Sequence, residues 1–458
     1  MMDFAPLLLA EDGQPATTIE VIAPDAAEAW IAAQPPQGRA ALAAQRFTGK
    51  PDSFATLAGE DGTWRAVTVV ADPASPWALA RLAEALPEGT YRTSGTALAA
   101  PELGWLLAQY RFTRYRKSDN HGPRVLLTAD PTRTEEVVRV ATATAKVRDL
   151  VNTGAADLGP AELEAEAAAL ASRHGAELRV TAGEELASSF PMIHAVGQAA
   201  VPSRAPRLIE LEWGDPAHPR VAIVGKGVCF DTGGLDIKPS AGMRLMKKDM
   251  GGAAHALALA DLVMAARLKL RLHLLIPAVE NAIAGNAFRP GDVLATRKGV
   301  TVENTNTDAE GRLILGDALT RASEDAPELI LDFATLTGAA RVALGPDLPP
   351  LFTDDEPLAS DLLAAGVAAD DPLWRLPLWN GYDDMLKSDV ADMVNAPDGG
   401  FAGAITAALF LRRFVPREIA WAHMDVFAWR PSAKPGRPKG GDAYGLRAAF
   451  AVLKARYG

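Results

Sequence analysis

Seven charged residues near and beyond the middle of the sequence have types and spacings that suit catalysis. The segment GKGVCFDTGGLDIKPS carries Lys226, Asp231 and Lys238 around a Gly-Gly pair. Asp249 follows in KKDMGGAAH, and NTDAEGRLILGDAL supplies Asp308, Glu310 and Arg312 at spacings of two. Four carboxylates drawn into one crevice repel and raise one another's pKa values, whereas two divalent cations there would keep all four ionised. An oxygen-rich ligand set of this kind suits magnesium, manganese or zinc. Histidine takes no part, because the seven His residues are scattered and form no His-Glu-x-x-His helix. His255 and His273 have no partner at ligand spacing and read as structural.

Each residue taken alone also has a plainer reading. Thr307 and Glu310 make a Thr-x-x-Glu capping box, the better account of Glu310 in isolation. Asp249 can cap its helix, Lys226 can lie in solvent, and Gly233 with Gly234 can form an ordinary turn. The metal reading rests on where the elements put these groups together. Leu208 to Glu212 and Val221 to Val224 read as short buried strands, and Ala253 to Arg267 as a helix. Alternation from Leu268 to Ile276 predicts a strand that Pro277 closes. A helix near Arg312 to Glu324 and a strand from Glu328 to Phe333 follow. That order of strand and helix predicts a largely parallel sheet covered by helices, with its functional crevice beyond the carboxyl ends of the strands. All the candidates lie at such junctions. The glycines after Asp249 would let backbone approach a ligand closely, and an extended 308–312 segment would put Asp308, Glu310 and Arg312 on one face.

A chain of 458 residues is too long for one ordinary core, so two domains are expected. The first, residues 1–133, mixes strand-like runs (Thr18 to Ile22, Ala66 to Val70) with helical ones (Trp77 to Leu86, Leu103 to Tyr110), which makes a small α/β domain. A polar stretch from Arg114 to Pro123 leads to a helix near Glu135 to Val151 that connects it to the larger domain, residues 134–458. A net charge of -11 with no dense Lys/Arg cluster speaks against nucleic acid or anionic lipid as partner. There is no apolar run long enough to cross a membrane, and the opening MMDFAPLLLAEDG has an Asp where a secretory signal carries basic residues, so a cytoplasmic location is expected. The single cysteine, Cys229, excludes intramolecular disulfides and Cys-based zinc clusters and reads as a buried small hydrophobe.

Two blocks carry a family resemblance. The segments GKGVCFDTGGLDIKPSAGMRLMKKDMGGAA (225–254) and NTDAEGRLILGDAL (306–319) closely resemble the signature blocks of the M17 leucyl aminopeptidases. Weaker likeness runs through residues 147–163, 332–339 and 387–411, whereas residues 1 to about 130 show little that matches. The resemblance implies a mixed-sheet α/β catalytic domain behind a smaller N-terminal α/β domain, assembled as a homohexamer. It implies a metalloaminopeptidase of leucine-type or broad preference, acting on peptides with a free N-terminus. Lys226, Asp231, Asp249, Asp308 and Glu310 would hold two divalent ions (manganese or zinc, or else magnesium), with Asp231 and Glu310 bridging. Lys238 and Arg312 would be the catalytic pair, with bicarbonate at Arg312 as proton shuttle. Met246, Thr335, Leu336 and Gly338 would receive the first side chain. The sequence departs from the family at Asp236, Gly242, Lys247 and Lys248, between the ligands, which leaves pocket shape and side-chain preference open. Two other readings remain at this point: a metal-dependent phosphohydrolase, which a lysine ligand fits poorly, and a non-catalytic oligomeric DNA-binding regulator, which the net charge disfavours.

Overall fold

Residues 2–59, 62–117 and 122–458 are described in this computed structural model. Part of the polar stretch 114–123, residues 118–121, lies outside them. The chain divides into two compact units, Met1–Ala145 with Ser432–Lys439, and Lys146–Pro431 with Gly440–Gly458. The division falls inside the helix Thr134–Asn152, which covers the connector expected at Glu135 to Val151.

In the first unit, six strands form one sheet: β1 (Leu8–Ala10), β2 (Thr17–Ile22), β3 (Phe54–Ala58), β4 (Trp64–Val69), β5 (Gly89–Gly95) and β6 (Arg124–Thr128), in the order β1-β6-β5-β2-β4-β3. All pairs are parallel except β3 with β4. Period-two alternation sends Ile19, Val21 and Ala66 into one apolar cluster and Ile22, Val67 and Val69 into another, so both faces of the sheet are covered. The helices are shorter than the sequence pattern suggests, Ala80–Ala85 and Glu102–Leu107.

The second unit is built on a nine-stranded sheet. Its strands are β7 (Glu177–Ala182), β8 (Arg207–Trp213), β9 (Arg220–Gly225), β10 (Gly227–Asp231), β11 (Arg271–Asn281), β14 (Leu329–Ala334), β15 (Pro350–Phe352), β16 (Trp374–Arg375) and β18 (Ala420–Asp425). The intervening β12 (Val293–Ala295), β13 (Thr301–Glu303) and β17 (Met393–Val394) form a small sheet of their own. The main order is β16-β15-β18-β14-β9-β11-β8-β7, with β10 also paired to β11. The central strands β18, β14, β9 and β11 are parallel, and β8, β7 and β15 pair antiparallel, so the sheet is mixed and largely parallel at its centre. The central strands read as nearly continuous apolar runs (VAIV in RVAIVG, and LILDFA interrupted by Asp332, which pairs with Trp421 and His423) because both faces are buried.

One expectation fails here for a physical reason. Pro277 does not close its strand, since β11 runs on to Asn281. Its partner on one side changes from β9 at Leu275 to β10 at Ala278, so the proline lies at the break between two neighbours, where no ladder bond to that side is lost. The two glycines that open the helix Gly251–Ala265 let it pack closely against the sheet. A Cβ on Gly252 would stand 2.1 Å from the Phe333 carbonyl oxygen and 2.8 Å from Lys226 N, so only glycine lets this helix lie on the strand ends.

Candidate metal centre and substrate cleft

The site is assembled at the carboxyl ends of the parallel strands. Lys226 follows β9, Asp231 ends β10, Thr335 follows β14, and Asp425 ends β18. Asp249 stands in a short turn of helix, Met246–Met250, just before Gly251–Ala265, and Glu310 opens the helix Glu310–Glu324. Crossovers between parallel strands thus deliver residues far apart in sequence to one edge.

At that edge Lys226 Nζ lies 2.6 Å from Asp249 Oδ2, 3.0 Å from Glu310 Oε1 and 3.2 Å from the Thr335 carbonyl oxygen. Lys238 Nζ lies 2.8 Å from Asp231 Oδ2 and also pairs with Asp308. Oxygens of Asp231, Asp308 and Glu310 come within 4.8 Å of one another, close enough to share a cation. Gly311 makes room for this arrangement, because a Cβ there would stand 2.5 Å from Lys226 Cε. Asn281 Nδ2 donates to Asp231 Oδ1 at 2.9 Å, and Thr335 Oγ1 donates to Asp249 Oδ1 at 2.8 Å, which fixes both carboxylates.

The electrostatics are those of crowded acids that lack enough cation. Burial first, then Asp231 and Asp249, push Glu310 up to about 8. Burial and Asp231 push Asp308 up to about 6. For Lys226, burial disfavours the ammonium, but Asp249, Glu310 and Asp231 outweigh it and raise the pKa. Asp249 is held below the ordinary carboxylate range because Lys226 and Lys248 overcome its desolvation. Glu310 Oε2 is buried without a hydrogen-bond partner. An orphaned, crowded carboxylate oxygen is what a metal ion satisfies, so the donor set fits divalent cations.

An open cleft of about 530 Å³ contains this cluster and extends past it to Met246, Thr335, Leu336 and Gly338. Arg312 does not line that cleft. It is largely buried in the first turn of its helix, where Nη1 donates to the Asn395 carbonyl oxygen at 2.8 Å and Nε has no partner. The shared face expected of an extended 308–312 segment is not formed, because Glu310 already belongs to the helix and residues two apart there point in different directions. Nor is the capping box formed. Thr307 Oγ1 donates to the Gly233 carbonyl oxygen at 2.6 Å, tying the Asp308 loop to the Gly-Gly turn, and the N-cap is Ala309. His255 and His273 are spent on structure, His255 on the Gly251 carbonyl and the Tyr444 amide, His273 on Glu210, and Cys229 is fully buried.

Four further residues of this site were not legible in the sequence. Asn281 reaches Asp231 only because β11 pairs with β10. Asn395 holds the loop before Asp308, accepting from Thr305 N at 2.8 Å and donating to the Asn306 carbonyl at 2.7 Å. Lys248 is buried in the cleft with Nζ 3.2 Å from Asp249 Oδ1. Asp425 accepts from Leu336 N at 2.9 Å, from Thr337 N and from Thr337 Oγ1 at 2.6 Å, and so fixes the loop after β14. The sequence signal for them is limited to Lys248, which departs from the family pattern within the first block, and Asn395, which falls in a segment of weaker family likeness.

Comparison with known proteins agrees with this geometry. Residues 145–450 match the catalytic domain of the cytosol aminopeptidase family, and residues 17–128 match the M17 aminopeptidase N-terminal domain. The second match corrects the expectation that the first 130 residues resemble little. Probable cytosol aminopeptidases of Syntrophotalea carbinolica and Caulobacter vibrioides are 41% and 38% identical, over 77% and 89% of this chain and 73% and 88% of theirs. The crystal structure of cytosol aminopeptidase from Coxiella burnetii is 44% identical with a TM-score of 0.93, covering 99% of this chain and 100% of that one. The bottromycin maturation enzyme BotP in complex with Mn is 33% identical with a TM-score of 0.86, over 97% and 100%. A tomato leucine aminopeptidase variant is 28% identical with a TM-score of 0.84, over 97% and 96%.

Proposed function

Because the chain belongs to the M17 cytosol aminopeptidase family, and is a metal-dependent aminopeptidase, we propose that Lys226, Asp231, Asp249, Asp308 and Glu310 hold a pair of divalent ions, manganese or zinc. The phosphohydrolase reading falls with the family assignment. The observation that carries the ligand set is the buried, unpartnered Glu310 Oε2 among three other carboxylates and an amine in one cleft. Once bound, the ions supply Lewis-acid activation of water and carbonyl and an anchor for the substrate's free amino group, which confines cleavage to the first peptide bond.

Lys226 would serve as ligand in its neutral form, surrendering a proton that its carboxylate neighbours otherwise hold firmly, so metal affinity falls in acid. Lys238 keeps its proton, because Asp231 and Glu310 raise its pKa against the effect of burial, and its ammonium stabilises the oxyanion of the tetrahedral intermediate. Arg312 stays protonated at neutral pH although burial lowers it to about 10, and it is the residue we assign to a small anion such as bicarbonate. Met246, Thr335, Leu336 and Gly338 receive the first side chain, and the apolar pair Met246 and Leu336 suits leucine-type residues. A cytoplasmic homohexamer is the assembly we propose, and no helix among the described residues is long and apolar enough to cross a membrane.

The test is Glu310→Ala in the full chain, loaded with manganese and assayed by elemental analysis and leucine-p-nitroanilide hydrolysis. Metal content drops and turnover falls by about a hundredfold or more. Full metal content with full activity would remove Glu310 from the ligand set.

A further inference from the structure

Besides the carboxylate cluster with Lys226 and Lys238, the cleft is lined by two further cations, Arg341 and Lys248, the second of them in contact with Asp249. Arg341 stands three residues, nearly one turn, past Gly338 in the helix Gly338–Leu344, and makes no ion pair among the described residues. Its guanidinium lies over the Phe427 ring with Cζ 4.5 Å from the centroid, and a Cβ on Gly338 would meet Arg341 Nη2 at 3.4 Å. Lys248 approaches the same ring, with Nζ 5.9 Å from the centroid. The two cations are therefore grouped around one aromatic side chain of the cleft.

The nearby carboxylates are already committed. Asp249 takes its shorter contact from Lys226, at 2.6 Å, and leaves Lys248 the longer one of 3.2 Å. Asp425, which also lines the cleft, spends its oxygens on Leu336 N, Thr337 N and Thr337 Oγ1. A substrate entering the cleft thus meets an exposed guanidinium with unused donors, over an aromatic ring, and a buried amine near the same ring. Guanidinium presents a planar fork that matches a carboxylate. Phe427 lies against the guanidinium and keeps water from that side of it.

We propose that Arg341, with Lys248, makes this enzyme favour peptides whose first residue is acidic over their uncharged isosteres, by binding the carboxylate of that side chain. This rests on the aminopeptidase reading and on the assignment of Met246, Thr335, Leu336 and Gly338 to the same pocket. It adds a second class of substrate to the leucine type that the apolar wall accepts. The glutamyl and glutaminyl side chains have nearly the same shape, so their comparison isolates charge from fit. A free carboxylate also occurs at the C-terminus of a short peptide, but an anilide substrate has none, which separates the two sources.

The experiment uses the manganese-loaded full chain and compares kcat/KM for glutamyl-, glutaminyl- and leucyl-p-nitroanilide. The expected ratio of glutamyl to glutaminyl is about tenfold or more, equivalent to about 1.4 kcal/mol. Arg341→Gln brings that ratio towards unity, and Arg341→Lys keeps part of it. Should Arg341→Gln not fold, added KCl on the unmodified enzyme replaces it, because a charge contact at an open cleft weakens with screening and the ratio falls as salt rises. Leucyl turnover with a glutamyl-to-glutaminyl ratio at or below one overturns the proposal and leaves the aminopeptidase standing. A preference that appears only as faster cleavage of Leu-Gly than of Leu-Gly amide also overturns it, by assigning Arg341 to the peptide's C-terminus. Metal-loaded protein inert toward every anilide overturns the underlying reading, and this proposal with it.

Discussion

At the residue scale the site is an exercise in charge balance, and Lys226 and Lys238 play different parts in it. Lys226 is walled in by Asp249, Glu310 and the Gly311 backbone, which leaves it no freedom to meet a substrate. Lys238 is more open and bridges Asp231 and Asp308 at the cleft. Lys238→Ala should therefore lower kcat for leucine-p-nitroanilide by about a hundredfold, the usual cost of one oxyanion donor, while bound metal measured by elemental analysis stays unchanged. If metal is lost with the activity, Lys238 holds the carboxylates in place and is not a donor to the reaction. The sequence displayed the charged residues well, since Asp308, Glu310 and Arg312 stand in one conspicuous block. It did not display Asn281 or Asp425, whose importance depends on the register of β11 with β10 and on β18 lying beside β14. An asparagine or aspartate ending a buried strand has no local pattern that distinguishes it.

At the element scale the helix Glu310–Glu324 must stay fixed for Glu310 to face the cluster, and Asp317 is its fastening. Asp317 is fully buried, with Oδ2 accepting from Met192 N at 2.9 Å and Ile193 N at 3.4 Å, and Oδ1 accepting from Arg297 N at 2.9 Å. It ties this helix to the start of the helix Pro191–Gly197 and to the turn after β12. Burial pushes its pKa up to about 7 against the pull of those three amides. The native state then keeps a proton that an unfolded Asp, at about 3.9, gives up, so Asp317's contribution to stability is full below about pH 4 and declines until about pH 7. The stability advantage of the natural protein over Asp317→Asn should shrink across that window, as followed by thermal melts at pH 5, 6 and 7. A constant or widening gap would mean that the amides win and the group is ionised throughout. Asp317→Ala should cost about 3 kcal/mol at pH 5, because it strands buried N–H groups, and less as the pH rises towards 7. The helix was legible because it keeps one period along its length, and β9 because it is a short apolar run bounded by turn residues. The misreadings fell where tertiary contact overrides a local rule, as at Pro277 between two partner strands and at Thr307, drawn to Gly233 instead of capping its helix.

For the whole molecule, the consequence is that metal binding and folding of the second unit are linked. The carboxylates and Lys226 come from three stretches of that unit far apart in sequence, namely Lys226 with Asp231 at the ends of β9 and β10, Asp249 before Gly251–Ala265, and Asp308 with Glu310. An unfolded chain keeps these segments apart, so ions bind the native state far better than the unfolded one and stabilise it by RT ln(1 + [L]/Kd), about 2.7 kcal/mol at a hundredfold excess over Kd. None of the seven candidate residues lies in the first unit, which has its own sheet and two apolar clusters. Chelation should accordingly lower the melting transition of the second unit by several degrees and leave that of the first where it was, and added manganese should restore it. Calorimetry of metal-stripped and reloaded protein reads both transitions in one scan. The Glu310→Ala variant should show a much smaller manganese-dependent shift, since it has lost a ligand that joins the helix to the strand ends. A melting profile indifferent to verified removal of the metal would mean that the cluster is held together by its lysines alone, and the ions would then contribute to the chemistry without contributing to the fold.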